Sequence, residues 1–426
     1  MKNIGKYITV KELGSGATST VFLAIDPFSN KKVAIKLFDL NSSHAKSAKK
    51  TFHKLFLTES SLAGKLQHPH IVKVFDAVLS DDLNYLVMEY VDGGSLEKYA
   101  EAGQLLPFTT VAEIMYKCCK ALEYAQTQGV IHRDIKPANI LLNGESNIKL
   151  SDFGAAIIQN YEGTLVSGVG SPAYMSPEQI SDLPLTQQSD IYSLGVTMYK
   201  LLTGKLPFGA NSSQGLLYQA VHSEPPPPKT FRRDIPDELN AIVQRAMKKD
   251  LSQRFQSWDE FAQDLSSFFA FSSLAQEQNE IYDTEKFDIL RSLSFFERFK
   301  VVELWEVLNF SNWRKVSKDT LILKEGDIGN TLFILANGMV KILKNGNVLG
   351  QLHKGECFGE IKRFPDSTFI RSTAVETGTE AILIEIDLDT LSRASVECRF
   401  QFDDAFLYVL LKRLDVANTR LSKLLA

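Results

Sequence analysis

The first hundred residues alternate short apolar runs with polar turns, which is the pattern of β-strands. Between the third and fourth of these runs, the stretch from Phe52 to Leu66 has a helical pattern instead. The chain is therefore expected to begin with a small antiparallel sheet that carries one helix. The predicted strands are Tyr7–Leu13, Val21–Asp26, Val33–Leu37, Val72–Val78 and Leu83–Tyr90.

From about 109 to 269 the pattern becomes mostly helical, because apolar residues recur at spacings of three and four. The clearest predicted helices are Val111–Thr127, Asp190–Leu202 and Leu239–Met247. The proline run Pro225–Pro228 predicts an exposed connection, since proline lacks the amide donor and fixes φ. A helical lobe is thus predicted to follow the sheet.

A polar stretch rich in glutamine and glutamate, Ser272–Thr284, is the best position for a linker between two independently folded units. Beyond it, short helical segments reach Trp313, and short strands separated by glycines follow. Their turn spacing predicts a β-roll or barrel, and the last segment, Phe400–Leu424, predicts an amphipathic helix. The predicted strands are Leu321–Leu323, Thr331–Leu335, Met339–Leu343, Val348–Leu352 and Ile382–Ile386.

Composition narrows the class of protein. A length of 426 residues corresponds to two or three domains. With 47 basic and 51 acidic side chains and 44% hydrophobic residues, the balance argues against a disordered or dominantly nucleic-acid-binding chain. No apolar stretch approaches the roughly 20 residues that cross a bilayer, and no leader peptide is indicated, so we expect a cytoplasmic protein without a membrane span.

The four cysteines form neither a CxxC pair nor a cluster with histidines, and we expect packed thiols.

Two glycines, Gly14 and Gly16, fall in the turn between the first two predicted strands. Without β-carbons they would let backbone amides approach phosphate oxygens, although glycines are also common in ordinary hairpins. Lys36 follows three apolar residues on the next strand, and Glu59 on the following helix would hold its ammonium near a ligand's phosphates. A solvated lysine is the alternative.

Two carboxylates, Asp134 and Asp152, and the carboxamide of Asn139 stand at a spacing that suits hard cations and a hydroxyl nucleophile. They belong to the runs HRDIKPAN and DFG, and the segment begun by the second run closes with the sequence SPE at Glu178. With every motif in this order, residues 1 to about 270 resemble a eukaryotic-type serine/threonine protein kinase domain. Further phrases of the chain resemble the bacterial members of that family.

The resemblance implies a role for each motif residue. Asp134 would be the catalytic base for the substrate hydroxyl, and Lys136 would neutralise charge on the transferred γ-phosphoryl group. Asn139, beside the catalytic pair, and Asp152 would hold Mg²⁺. The sequence after Asp134 matches the serine/threonine branch rather than the tyrosine-specific one, so the substrate would be a protein Ser or Thr hydroxyl.

ATP would lie under the glycine-rich turn, with its phosphates gripped by Lys36 paired with Glu59. Apolar residues at several of the positions concerned are equally expected of any core. The remaining ATP-binding positions implied by the resemblance are Leu13, Gly14, Gly16, Val21, Ala34, Met88, Glu89, Val91 and Leu141.

Arg133, next to the catalytic aspartate, implies control by phosphorylation of the segment after Asp152, since a guanidinium there pairs with phosphate. Thr164, Ser167 and Ser171 are the phosphorylation candidates. Ser171 has a structural alternative, because the family usually has a threonine there that is hydrogen-bonded to the catalytic aspartate. The resemblance also implies that Glu178 and Arg254 form a buried ion pair and that Asp190 anchors the backbone.

Two positions depart from the kinase pattern, Ser19 for a third glycine and Ser176 for the alanine of Ala-Pro-Glu. Neither removes a catalytic group. A non-catalytic, nucleotide-binding scaffold is therefore the minor alternative to an active kinase.

The C-terminal part contains Glu325-Gly-Asp327, then Phe358-Gly359-Glu360, then Arg371 before Ser372. In this order they resemble the cyclic nucleotide-binding domain. The resemblance implies that Glu360 accepts from the ribose 2′-hydroxyl, Gly359 permits close approach, and Arg371 neutralises the cyclic phosphate of cAMP or cGMP. Phe358 introduces the pocket, and Ser372 would contact either phosphate or base.

The stretch after Glu360 departs from that family, with Ile361-Lys-Arg-Phe364 and a lengthened approach to Arg371. A β-roll without nucleotide binding, serving as a docking or dimerisation module, is therefore the alternative for this domain. The terminal helix matches the lid helix of the family.

Together these features predict an α+β protein: a bilobal protein kinase fold at 1–270, a linker at 271–290, and a jelly-roll-like cyclic nucleotide-binding β-roll with flanking helices at 291–426. We predict ATP- and Mg²⁺-dependent phosphorylation of protein Ser/Thr hydroxyls, regulated by a cyclic nucleotide. The partners are protein substrates and the effector, with neither nucleic acid nor membrane, and a homodimer is left open. The substrate, the nucleotide and the sign of regulation do not follow from the sequence.

Overall fold

The chain divides into two units, Met1–Ala275 and Gln276–Ala426. The structure is a computed structural model, and each unit is described by itself. The residues described are 3–15, 19–38, 56–57, 59–62, 64–80, 83–144, 146–153, 157–158, 171–209, 212–275, 281–359 and 370–425.

An antiparallel sheet of six strands opens the first unit, in the order β1-β2-β3-β4-β6-β5, which confirms the predicted sheet. The strand predicted from Val72 begins two residues later, because the amide of Val72 donates to the carbonyl of Leu150 instead (2.8 Å). The bounds are β1 Asn3–Ile4, β2 Tyr7–Ser15, β3 Ser19–Ile25, β4 Lys32–Phe38, β5 Val74–Leu79 and β6 Asn84–Glu89.

The two faces of this sheet carry separate apolar clusters. Because side chains alternate along a strand, Val33 and Ile35 of β4 enter one cluster while Ala34 and Phe38 enter the other. The side chain of Lys36 lies on the same face of β4 as those of Ala34 and Phe38, because it is two residues from each. The helical residues 56–57 and 59–61 pack on that second face through Phe56. The sheet thus points one buried lysine toward a helix.

The rest of the first unit is mainly helical, as predicted. Lys120 of the first long helix donates to Asp259 of the last one (3.0 Å), and both helices belong to the buried core. The helices are α1 Phe108–Thr127, α2 Pro177–Ile180, α3 Gln187–Thr203, α4 Ser213–His222, α5 Asp237–Ala246 and α6 Trp258–Ala275. Short strands form two antiparallel pairs: β7 Val130–Ile131 with β10 Ile157–Ile158, and β8 Ile140–Leu142 with β9 Ile148–Leu150.

The second unit is a roll of two four-stranded antiparallel sheets, in the orders β11-β18-β13-β16 and β12-β17-β14-β15. Their inner faces share a core that includes Phe333, Phe358 and Val375. The strands are β11 Ser311–Val316, β12 Leu321–Leu323, β13 Thr331–Asn337, β14 Met339–Lys344, β15 Asn347–His353, β16 Cys357–Phe358, β17 Ala374–Thr377 and β18 Ala381–Asp387. The flanking helices are α7 Asp283–Ser292, α8 Val301–Phe310, α9 Leu388–Leu391 and α10 Val396–Leu425.

The predicted linker, 271–290, is largely helical, since α6 runs to Ala275 and α7 begins at Asp283. Polar composition favoured a linker, but glutamate and lysine are also good helix formers. Phe287 and Leu290 supply the buried face of α7, and Phe287 stacks on Trp305 of α8 with 4.5 Å between the ring centroids. In the part of the chain that the structure describes, no helix is both long enough and apolar enough to cross a membrane.

Candidate active site and ligand pocket

The loop that carries the predicted catalytic residues follows β7 and is held by Asp190. The Asp190 carboxylate accepts from the amides of His132 (2.7 Å) and Arg133 (2.8 Å). Arg133 has a left-handed backbone (φ 69°), a conformation that costs of order 1–3 kcal/mol and persists only where the surroundings enforce it. Burial raises the pKa of Asp190, although the neighbouring amides and His132 oppose that rise. Asp190 thus anchors the backbone, as predicted.

Asp134 and Lys136 lie together in this loop. Lys136 Nζ donates to Asp134 Oδ2 (2.7 Å) and to Ser171 Oγ (2.7 Å). The Ser171 amide donates to Asp134 Oδ1 (2.9 Å). These contacts give the Ser171 hydroxyl a structural role beside the aspartate, which favours that alternative over phosphorylation at this residue.

Asn139, five residues after Asp134 in the chain, contacts the same cluster. Its Nδ2 donates to the Asp134 carbonyl (2.8 Å) and to Asp134 Oδ2 (3.1 Å). Its own backbone carbonyl accepts from the Ser151 amide (2.9 Å), which brings Asp152 alongside. Asp152 also has a left-handed backbone (φ 62°). The structure therefore gathers all four predicted catalytic and metal-binding residues.

Lys36 bridges the sheet to this cluster. Its Nζ lies 2.8 Å from Glu59 Oε2 and 2.6 Å from Asp152 Oδ1. Burial alone would lower the pKa of Lys36, but Asp152 and Glu59 outweigh it and hold that pKa above the ordinary value. For Asp152, Lys36 overcomes the effect of burial and lowers the pKa of the carboxyl. Burial raises the pKa of Glu59 even with Lys36 beside it.

The predicted adenine-pocket residues meet in the second cluster of the sheet. Ala34, Met88 and Val91 are buried members, and Val21 and Leu141 pack against them. Glu89 ends β6, and its Oε2 accepts from Lys149 Nζ (2.8 Å). Gly14 pairs with Val21 in the β2–β3 hairpin, where Leu13 is exposed.

Several predicted residues lie outside the described part of the chain. They are Gly16, Thr164, Ser167 and Glu360.

The oxygen donors present fit Mg²⁺ and ATP. Among the described residues, no group of three or more His, Cys, Asp and Glu could hold a metal by itself. Mg²⁺ typically uses one or two carboxylates together with substrate phosphates and water, so Asp152 and the amide oxygen of Asn139 suit it. The ammonium of Lys36, shared between two carboxylates, supplies the positive charge for phosphate.

Behind this cluster, Arg254 and Glu178 form the predicted buried ion pair. Arg254 Nη1 lies 2.6 Å from Glu178 Oε1, and Nε donates to the Lys248 carbonyl (2.8 Å). Arg254 is fully buried. The pair ties the residues that follow Ser171 to the base of the helical lobe.

In the second unit, Arg371 is buried, and its guanidinium lies close to Gly329 and Gly359. Its Nη2 donates to the Thr331 carbonyl (3.0 Å), and its amide donates to the Asp327 carbonyl (2.7 Å). A β-carbon on Gly359 would lie 3.0 Å from Nη1, so the glycine permits the approach of the guanidinium. Gly359 is also left-handed (φ 88°).

These residues border a cavity of about 470 Å³. Phe358, Gly359, Arg371 and Ser372 line it, together with residues of α10 that sequence reasoning missed. Those are Phe406, Leu410 and Arg413, whose i, i+4, i+7 spacing is the signal that could have found them. Arg413 donates to the carbonyl of Cys357, so α10 is fastened to β16.

Comparison with known proteins gives one matching domain model in each unit. The protein kinase domain model matches residues 7–265, and the cyclic nucleotide-binding domain model matches residues 313–395. The chain belongs to the protein kinase family. This confirms the family predicted from the motifs, and its curated relatives carry serine/threonine kinase names.

Three of these relatives are bacterial. A probable serine/threonine-protein kinase of Clostridium acetobutylicum is 32% identical over 297 residues, 66% of this chain and 44% of the relative. PrkC of Bacillus subtilis is 32% identical over 284 residues, 66% of this chain and 43% of PrkC. PknB of Mycolicibacterium smegmatis is 36% identical over 269 residues, 61% of this chain and 42% of PknB. The chain therefore spans less than half the length of these relatives.

Proposed function

We propose that this chain phosphorylates Ser and Thr hydroxyls of proteins, using ATP and Mg²⁺, through the kinase module at 1–270. The observation that carries the proposal is the convergence of two hydrogen-bonded groups, Asp134 with Lys136 and Asn139, and Lys36 with Asp152. The bond from the Ser151 amide to the Asn139 carbonyl joins the two groups. A merely structural cluster would have no reason to bring two lysines and two aspartates beside an amide, at two loops that each contain a left-handed backbone position, Arg133 and Asp152.

In this proposal each residue acts on a stated atom. Asp134, kept in place by the Ser171 amide, orients the substrate hydroxyl and takes its proton. Lys136 offsets the negative charge that develops on the transferred group. Asn139 and Asp152 would hold Mg²⁺, and Lys36 with Glu59 would hold the ATP phosphates. When bound, the metal supplies electrostatic stabilisation of the phosphate oxygens.

The test is phosphate transfer by the purified full chain to itself and to a generic basic protein, with Mg²⁺ and labelled ATP. Asp134→Asn is expected to remove transfer and to leave the melting temperature close to that of the unaltered chain. Lys412→Gln, at an exposed position on α10, is the matched control and should transfer normally. Transfer that survives Asp134→Asn, or is absent from the unaltered chain, would refute the proposal.

We further propose that the module at 291–426 binds a cyclic mononucleotide, cAMP or cGMP, which regulates the kinase. Support comes from the buried guanidinium of Arg371 at the wall of the cavity, which places a positive charge where the phosphate of a cyclic nucleotide would be neutralised. Glu360 and Ser372 would take the sugar and the phosphate or base. We also propose that Thr164 or Ser167, in the segment after Asp152, accepts phosphate. The reason is the position of Arg133 next to the catalytic aspartate, since a guanidinium there pairs with phosphate.

The second test adds cAMP or cGMP to the transfer assay and to isothermal titration calorimetry. A ligand-dependent rate that Arg371→Ala abolishes is the expected result. An active chain that binds neither nucleotide would instead support the docking or dimerisation alternative for the roll.

A further inference from the structure

A short 3₁₀ turn, Leu96–Tyr99, follows the sheet of the first unit and lies beside the catalytic loop. Leu96 is fully buried, whereas the next residue, Glu97, is exposed. Successive side chains of a 3₁₀ turn point about 120° apart, so the burial of Leu96 fixes the turn and directs Glu97 away from the core. The turn therefore presents one carboxylate at the surface.

Backbone contacts hold this turn against the catalytic loop. The amide of Leu142, in β8, donates to the Gly94 carbonyl (2.8 Å). A β-carbon on Gly93 would collide with the Leu142 carbonyl oxygen, so glycine permits the close approach of the two segments. The turn itself contacts Pro137–Asn139 of the catalytic loop. Its position relative to the catalytic residues is thus fixed by the backbone.

Tyr174 relates Glu97 to the catalytic aspartate. The Tyr174 amide donates to the Ser171 carbonyl (2.9 Å), and the Ser171 amide donates to Asp134 (2.9 Å). Burial, followed by the carboxylates of Glu97 and Asp134, raises the pKa of Tyr174. A carboxylate opposes ionisation of a tyrosine only when it lies near the phenol oxygen. Glu97 and Asp134 therefore both lie near the Tyr174 side chain.

The charge of Glu97 is not compensated within the part of the chain that the structure describes. No ion pair or side-chain hydrogen bond joins Glu97 to another described residue. The adjacent cation, Lys98, donates to the Gly93 carbonyl (2.9 Å) and lies 4.7 Å from the centroid of the Tyr99 ring. A negative charge beside the catalytic loop is thus available to a group that binds there.

A peptide substrate would bring such a group. The acceptor hydroxyl must reach Asp134, and an extended peptide advances by about 3.3 Å per residue, so side chains a few positions from the acceptor pass the edge of the site. At that edge a lysine or arginine meets an opposite charge, whereas an aspartate or glutamate is repelled. The difference between the two interactions gives selectivity.

We propose that Glu97 is a specificity-determining residue of the kinase module and selects substrates that carry a lysine or arginine close to the acceptor Ser or Thr. This inference rests on the proposed phosphoryl transfer and adds to it the chemical class of the preferred substrate. Glu97 binds the basic side chain of the substrate, and the transfer itself remains with the catalytic cluster around Asp134.

Peptides with a single acceptor Ser test the proposal. Arg, Gln and Glu are placed in turn at each of the three positions on either side of the Ser, and kcat/KM is measured with the purified full chain, Mg²⁺ and ATP. At one or more positions Arg should exceed Gln by about fivefold, which is the upper range for an ion pair between exposed side chains. The gain should lie in KM rather than kcat, because the ion pair forms equally in the ground state and the transition state.

Substitution of Glu97 should change this preference in a graded way. Glu97→Gln should reduce the ratio of Arg to Gln peptides to about one, and Glu97→Lys should reverse the preference so that the Glu peptide is favoured. Glu101→Gln, at another exposed acidic position, is the matched control and should keep the ratio of the unaltered chain. Equal melting temperatures of Glu97→Gln and Glu101→Gln would show that folding is intact.

Several outcomes would overturn the inference while leaving the kinase activity in place. They are equal transfer to the Arg, Gln and Glu peptides, an Arg preference that survives Glu97→Gln, and an equal loss of the preference in Glu101→Gln. Transfer to the chain itself but to none of the peptides would also overturn it, since a basic side chain near the acceptor would then not suffice for recognition. Absence of transfer to every acceptor would instead refute the proposed function, and this inference with it.

Discussion

Gly329→Ala is expected to weaken cyclic nucleotide binding although residue 329 is not among the cavity residues. A β-carbon there would lie 2.4 Å from Nη2 and 2.7 Å from Nε of Arg371, so the guanidinium must move by about 1 Å to restore ordinary contact. That movement breaks the 3.0 Å bond from Nη2 to the Thr331 carbonyl. Gly329 does not have a left-handed backbone, so backbone strain does not contribute.

The magnitude follows from the contact that Arg371 would lose with the ligand. A hydrogen bond to a charged group contributes about 1.5–3 kcal/mol. Its loss corresponds to an affinity that is lower by about 10- to 150-fold. The positive charge itself remains in the domain, so Gly329→Ala should weaken binding less than Arg371→Ala does.

Isothermal titration calorimetry of the full chain with cAMP and with cGMP measures this effect. Gly350→Ala is the matched control in the same roll, since a β-carbon there meets nothing within 4 Å. Its affinity should equal that of the unaltered chain. Equal affinities for Gly329→Ala and the unaltered chain would refute the reasoning, and the absence of binding to the unaltered chain would refute the pocket itself.

Two further predictions concern the stability of the kinase unit. Arg254→Met should lower the free energy of unfolding of this unit by about 3–5 kcal/mol, because it leaves the Glu178 carboxylate buried and unpaired. Adding Glu178→Met should restore part of the stability measured by thermal denaturation. A double variant no more stable than Arg254→Met contradicts this. His68 is buried and stacked on Tyr124, and burial lowers its pKa to about 3. Below about pH 6.5 the unfolded chain therefore binds a proton that the folded chain does not, and stability should fall by about 1.4 kcal/mol per pH unit from this residue. The free energy of unfolding, measured by urea denaturation, should fall by about 2 kcal/mol less between pH 7.5 and pH 5.0 in His68→Phe than in the unaltered chain. The exposed-site control His353→Phe should behave like the unaltered chain. Identical losses in all three contradict the assignment.

Much of the kinase site could be predicted from the sequence because its residues are close along the chain. Asp134, Lys136 and Asn139 lie within six residues, so any backbone that turns there brings them together. The alternation of apolar residues likewise predicted the antiparallel sheet. The division between the two units falls within the predicted linker, 271–290, but composition did not predict that α6 runs to Ala275 and that α7 begins at Asp283. Polar composition does not distinguish a linker from an amphipathic helix whose few apolar residues find a partner.

Contacts between distant segments were decided by the tertiary structure. Lys36 and Asp152 are 116 residues apart, and Arg413 and Cys357 are 56 apart. Family resemblance paired Lys36 with Glu59 and gave Asp152 a metal-binding role, but it did not indicate the contact between Lys36 and Asp152. Nothing in the sequence indicated the contact between Arg413 and Cys357. Both candidate roles of Ser171 were compatible with the sequence, and only the structure shows that Lys136 and Asp134 hydrogen-bond to it.

The terminal helix shows the same division. Its sequence determined that apolar residues recur with a helical period, and so that an apolar face exists. Only the structure shows that Phe402 packs on Phe299 and that Phe406 lines the cavity, while Leu407, Leu411 and Leu414 remain exposed. The physical reason is that local spacing fixes which side chains share a face of an element, whereas burial of that face depends on surfaces contributed by remote parts of the chain.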